Sequence, residues 1–383
     1  MTRRVLLPLL VLALAASSAP RAAAQAREPA PPRPSLPRGA DPNDWEAYFD
    51  RGAALLPTQA GDADAAFYWA QRLNPSRAEP LYGRWVAFHM RDITRWEAYM
   101  RDSPAVLANP EIIRADSLLI RAQVRNPFVH RGLLVVLFQA TPGYWGGDSY
   151  TRGMLDYSAG KLPQAVRTLQ AYVQRYPRRL DARWSLVLAL VSSNQMDSAQ
   201  VVMNSLVEQM RLADETRVVR AYQSKEMQEY AAGLLYLARH QPAQARAAME
   251  QALVENAASW FAHSGRALAL RVEHRPEEAV QEMTAALELA PEDAMLHFDY
   301  AGALLEARRF PESAAEYRRA VAMEPFWGDA WLGLGDAERV AGHAAEAIAA
   351  YERYLALAPR REASLAQVVQ GHIERLRQPV ATP

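Results

Sequence analysis

The side chains best placed for chemistry lie in "GGDSYTRG", Gly146 to Gly153, and among the eight histidines. Ser149, with glycines on both sides, has the setting of a serine nucleophile, which needs an imidazole base held in place by an acid. His263 and His297 fall at i and i+34 and would face each other across stacked units. No carboxylate shares their face at ligand spacing, so packing explains them better than a metal ion does. Cysteine is absent, which removes disulfides, thiolate metal sites and cysteine nucleophiles. Gly-rich phosphate loops and zinc signatures are missing as well. A plainer role for the glycine block is a helix start, with Asp148 or Ser149 as its cap.

The same block resembles the nucleophile region of GDSL-type lipases and esterases, and the upstream "LLVVLF" could be read as the strand before it. That resemblance implies a later Asp-x-x-His, yet none of the histidines has Asp three positions before it. The Gly-x-Asn-Asp oxyanion block and the alternating strands of that fold are also lacking. The expectation is no catalytic residue, no metal and no cofactor. A GDSL-like serine hydrolase using Ser149 is the alternative.

Composition narrows the partners. The 383 residues are 50% hydrophobic, and 43 Lys and Arg balance 43 Asp and Glu. Such a balance offers no broad positive field for nucleic acid or anionic lipid. Only Lys161 and Lys225 are lysines, and every other cationic side chain is arginine. Arg3 and Arg4, the apolar run Val5 to Ala16 and the small residues of "SSAPRAAAQA" predict a signal peptide over 1–26. The apolar run falls short of the roughly 20 residues that span a bilayer. "TRRVLL" also resembles a twin-arginine signal, although an ordinary secretory signal accounts for the paired arginines. The chain is therefore expected to be exported, to the periplasm or as a secreted protein, without a transmembrane span once the signal is removed. Residues 27–42 are Pro-rich and read as an extended linker.

The rest of the chain is periodic. Pro291, Pro325 and Pro359 fall at i, i+34 and i+68, and Ala245, Ala279, Ser313 and Ala347 keep the same step. So do Gly233, Ala267, Ala301 and Gly335, and upstream Ala165 and Ala199 repeat it. A fixed period of this length marks a solenoid of stacked units. Within the last unit, Trp331, Leu334 and Gly335, then Ala347, Tyr351 and Tyr354, fall at helical spacing. Gly342 separates the two runs and Pro359 stops the second. Each unit is an antiparallel helical hairpin, with small residues where two backbones approach closely.

Trp331, Leu334, Gly335, Ala347, Tyr351 and Pro359 together resemble the tetratricopeptide repeat pattern, with Glu338 departing at its Tyr position. The resemblance implies an all-α, right-handed solenoid of stacked hairpins. Its units lie near 146–179, 180–211, 226–259, 260–293, 294–327 and 328–361, with an insertion around "RLADETRVVRAY". Residues 43–145 read as a degenerate repeat-like helical region in which the register is lost from about 102. Residues 362–378 read as a capping helix, with Leu365, Val368, Val369, Ile373 and Leu376 on one face.

The resemblance also implies a concave groove lined by first helices, in which family members bind proteins or peptides. Carried over position by position, the groove-facing residues are Tyr150, Met154 and Tyr157, then Tyr230, Leu234 and Leu237. Further along they are Phe261, Leu268 and Arg271; Met295, Phe298 and Leu305; and Leu332, Asp336 and Arg339. Trp184 reads as either core or groove. This list is mostly apolar, which suits an amphipathic helix or hydrophobic peptide. The competing expectation is that the face is filled, by residues 102–145 or by tight curvature. Tyr144 and Trp145 read as packed residues, or else as a protruding recognition loop. The function expected is a non-enzymatic interaction scaffold, or an envelope assembly factor holding hydrophobic segments of other exported proteins.

Overall fold

The computed structural model describes residues 30–100, 104–141, 147–212 and 224–378. The expected signal peptide, Tyr144 with Trp145, and most of the expected insertion lie outside these residues. The chain from Arg33 onward packs as one unit. Its described residues hold helices and no strand, so the all-α solenoid stands.

The N-terminal helices are α1 (Trp45–Leu55), α2 (Ala60–Leu73), α3 (Glu79–Met90), α4 (Ile93–Met100), α5 (Pro104–Leu107), α6 (Pro110–Arg125) and α7 (Leu134–Ala140). Six hairpins follow. They are α8 (Ser149–Ser158) with α9 (Leu162–Arg175), α10 (Leu180–Ser192) with α11 (Met196–Arg211), and α12 (Lys225–Ala238) with α13 (Pro242–Glu255). The others are α14 (Trp260–Val272) with α15 (Pro276–Leu289), α16 (Ala294–Glu306) with α17 (Phe310–Met323), and α18 (Gly328–Ala341) with α19 (Ala344–Leu357). Helix α20 (Ala363–Arg377) closes the row against α19.

A single local device turns every hairpin. One or two positions past each of these six first helices a residue is left-handed: Gly160, Asn194, His240, His274, Arg308 and Gly342, with φ between 55° and 86°. The next backbone N–H then reaches back to a helix carbonyl, as in Arg275 to Leu270 (2.9 Å), Arg309 to Leu304 (2.8 Å) and His343 to Glu338 (2.9 Å). This closure satisfies carbonyls that a helix end leaves unpaired. Four second helices open with Pro163, Pro242, Pro276 or Pro311 in the first turn, where a missing N–H costs nothing.

Neighbouring units lock by a large side chain against glycine. Met249 of α13 lies between Gly233 of α12 and Gly265 of α14, where an added Cβ would meet its methyl at 2.5 and 2.7 Å. Phe67 of α2 does the same between Gly52 and Gly83, at 2.6 and 2.8 Å. These contacts explain the small residues of the period: a larger side chain would push two helix axes apart.

Two features depart from expectation. On α20 only Val369 and Ile373 are buried, whereas Leu365 and Val368 remain 39% and 55% exposed. A helix with one neighbour covers a narrow stripe. The row also returns on itself. Asn43 donates to the Ala356 carbonyl (3.1 Å), the Arg360 N–H donates to Asp41 (2.6 Å), and Arg361 pairs with Asp44 (2.9 Å). Trp69 meets Phe326 edge-on at 5.4 Å, beside an Arg72–Glu324 ion pair (2.9 Å).

Candidate functional site

Ser149 is exposed at the start of α8, where Asp148 caps the helix by accepting from the Thr151 N–H at 2.8 Å. Among the described residues no histidine bonds to Ser149. Gly153 packs under Leu169. The block does what a helix start and a packing position require.

His263 and His297 are structural partners. His297 is buried between Glu316 (2.6 Å) and the Pro291 carbonyl (3.0 Å), and His263 bonds Glu282 (2.8 Å). One period on, the Trp331 indole N–H donates to the Pro325 carbonyl at 3.0 Å. His297 thus takes the place of that tryptophan and keeps its bond. Burial pulls its imidazole down, but the Glu316 and Pro291 bonds outweigh it and leave the ring above its ordinary range. The glutamates come from the facing second helices, so periodicity along first helices did not reveal them. Among the described residues no group of three metal-ligating side chains occurs.

The carried-over groove positions fall into three sets. In the first, Met154 and Tyr157 are buried in the main core, and Tyr150 bonds Ser185 at 3.2 Å. Trp184 is buried too, with Phe128 5.9 Å away, so it is core. Tyr157 and Trp184 meet His130 and Phe128 of the segment before α8, while Tyr150 packs on Tyr172 of α9 at 5.4 Å.

In the second set the groove is occupied. Tyr230 is 5% exposed, and its hydroxyl donates to the Val124 carbonyl of α6 at 2.7 Å. Phe261 stands edge-on to that ring at 5.1 Å. Val124 and the half-buried Ile120 complete this cluster, which Leu234 joins from α12. Helix α6 is apolar on two sides. Ile112, Ala115, Leu119 and Ala122 belong to the N-terminal core, while Ile120 and Val124 meet the array. Asp116 anchors the helix by accepting from Trp85 (3.1 Å) and Tyr99 (2.9 Å). An open groove at Tyr230 and Phe261 is therefore ruled out, and of the two expectations the segment 102–145 fills this stretch. Its two apolar stripes in "IIRADSLLIRAQV" were the available signal.

The third set is more open. Leu268 is 41% exposed, Leu237 is half-buried, and Arg271 is held by Glu306 at 2.6 and 3.0 Å. Met295, Phe298 and Leu305 lie half-buried, Phe298 over Trp327 at 4.4 Å. Leu332 packs toward α20. Asp336 accepts from the Tyr351 hydroxyl (2.7 Å), to which the exposed Arg339 also donates (3.0 Å). Val272 and Val340, two periods apart, are 47% and 43% exposed at the ends of α14 and α18.

Charge accompanies the plug. Arg121 and Arg125 of α6 approach Asp293, Asp299 and Glu324 of the array. Burial, with Arg125 adding to it, lowers the Arg121 guanidinium to about 10 despite Asp293 and Glu324. Burial also raises Asp299 to about 6; Arg271 and Arg125 offset this in part and Asp293 adds to it.

A tetratricopeptide repeat model matches residues 150–200, 230–294, 265–328 and 298–362. The Hsp70-Hsp90 organizing protein of Triticum aestivum is 36% identical over 88 residues, covering 23% of this chain and 15% of its own length. The chain thus spans about a seventh of that relative. Among solved structures, YrrB, described as a TPR protein with an unusual peptide-binding site, aligns with a TM-score of 0.41 at 15% identity, covering 53% of this chain and 97% of its own. MamA from Desulfovibrio magneticus RS-1 aligns with a TM-score of 0.40 at 16% identity, covering 47% and 97%. Such repeats serve as protein-interaction scaffolds and are in general non-catalytic. With its constant period, its stacked hairpins and its matched segments, the chain belongs to the tetratricopeptide repeat family.

Proposed function

We propose that this protein is a non-enzymatic scaffold of the cell envelope that holds a protein or peptide partner on the part of its concave wall that α6 leaves uncovered. The observation that carries the reading is the pair Val272 and Val340, exposed at equivalent positions of first helices two units apart. Val272 follows Leu268 by four residues and shares its helix face. Apolar side chains on alternate units, with Glu306 at the equivalent position between them, suit an amphipathic partner that spans those units.

The test is affinity capture from the envelope fraction with the wild type and with Val272→Glu/Val340→Glu. Both sites are solvent-facing, so the melting temperature should hold while the captured partner is lost. Capture that survives both glutamates rejects the wall as the docking surface. Fractionation with and without residues 1–26 tests location, because export requires that only the full chain leave the cytoplasm.

A further inference from the structure

A cavity of about 160 Å³ remains where α6 meets the array. Its apolar wall comes from Tyr230, Leu234, Trp260, Leu268, Met283 and Met295. Its charged side is Arg125, Arg271, Asp293 and Asp299. Three of these charges are already committed. The Arg125 guanidinium donates to the carbonyls of Pro75 (2.5 Å) and Arg121 (3.2 Å), and Arg271 is forked onto Glu306. Asp293 caps α16, accepting from the Met295 N–H at 2.8 Å. Asp299 makes no hydrogen bond or ion pair among the described residues, and its neighbours act on it only through their charge. Asp299 is half-buried beside apolar side chains, and Arg271 and Arg125, both engaged elsewhere, offset its charge only in part. A carboxylate so placed is costly, and an arriving cation lowers that cost.

We propose that this cavity binds one organic cation, an ammonium or guanidinium on a short apolar stem, with Asp299 as its counter-ion. The stem lies among Leu234, Trp260 and Met295, and the head meets the Asp299 carboxylate. Size agrees, since a cavity of about 150 Å³ accommodates one benzene ring. Leu268, which lines the cavity and is 41% exposed, stands at its mouth. The ionisation of Asp299, displaced upward by burial, makes uptake weaken as the pH falls through about 6. The other groups facing it are Arg125, Arg271, Asp293, Tyr230 and Tyr317. The inference stands apart from docking on the wall, because neither Val272 nor Val340 lines the cavity.

The test uses the full chain and calorimetric titration at pH 7.5 with n-butylamine, n-butylguanidine and the neutral n-butanol. The cations should bind at least tenfold more tightly than the alcohol, and Asp299→Asn should remove that difference while keeping the fold, as followed by far-UV circular dichroism. A blocked Leu-Arg-Leu tripeptide distinguishes the source of the cation. Tighter binding than butylguanidine marks a partner's side chain, and binding of the small cations alone marks a free metabolite-sized ligand. Equal affinity for amine and alcohol, or cation binding that survives Asp299→Asn, overturns the proposal, as does no heat with any probe.

Discussion

The array from α12 to α19 and the region from α1 to α7 are built from the same hairpin parts and differ in what constrains them. In the array each helix answers to a copy of itself one period away. Left-handed caps recur at His240, His274, Arg308 and Gly342, and Met249, Met283, Tyr317 and Tyr351 recur at the same step. In the N-terminal region the one hairpin with a two-sided glycine lock, α1 with α2 and Phe67, is followed by helices that answer to the array itself. Helix α6 is shaped on one side by α3 and on the other by Tyr230 and Phe261. Repetition makes a surface, and the non-repeating part covers a stretch of it.

The sharpest way to break the comparison is to remove one lock in each region. Met249→Ala should cost about 2–5 kcal/mol and Phe67→Ala about 3–5 kcal/mol, through lost contacts and the cavity left behind. Because Trp69 meets Phe326 and Val124 meets Tyr230, both variants should lower one shared unfolding transition, followed by circular dichroism in urea. Two separated transitions in Phe67→Ala would mean that the N-terminal region is an independent body. This coupling also alters what a linear stack predicts. Removing the last unit should cost more than one unit's share, since the residues leading into α1 lose their contacts with Ala356, Arg360 and Arg361.

What could be read in advance follows the same division. Period, hairpins and small-residue locks were legible because each is stated several times over, so a worn copy such as Glu338 is outvoted. The plug was not, because the fit of Val124 to Tyr230 joins residues 106 apart and occurs once. The family pattern named Tyr230 and Phe261 as groove-facing without any means of showing what faced them. Replacing Tyr230 and Phe298 by Ala, which looks like a binding test in the sequence, is a stability test in the structure. The glutamates opposite His263 and His297 went unseen for a related reason: each sits at i+19, across a hairpin.

Asp299→Asn probes the seam between the two regions electrostatically. A carboxyl lifted to about 6 in the folded chain ionises there later than in the unfolded chain. Stability should therefore fall as the pH rises from about 4 to 6, with the whole penalty present above 6. The variant should be more stable than wild type by about 1–3 kcal/mol at pH 8 and indistinguishable from it near pH 3.5. A gain that persists at low pH would place the effect elsewhere than in the charge.

Tyr230→Phe asks less of the same seam. It deletes one buried hydroxyl and leaves the Val124 carbonyl without its donor, at about 1–1.5 kcal/mol. The loss should appear as faster amide exchange in α6 than in α18 or α19. Uniform acceleration across the chain would show that α6 does not open separately.

The smallest effect tests the array alone. His274 and Arg308 hold φ of 58° and 59°, a conformation that costs a residue with a Cβ about 1–2 kcal/mol. Both are exposed, so replacement by glycine forfeits little packing. It does enlarge the freedom of the unfolded chain, which offsets part of the relief. His274→Gly and Arg308→Gly should each stabilise by about 0.5–1 kcal/mol, and together by the sum, since the sites lie in different turns. The unit already turned by Gly342 sets the reference: Gly342→His should lose about what His274→Gly gains. Unequal magnitudes would mean that the turns, alike in hydrogen bonding, differ in what surrounds them.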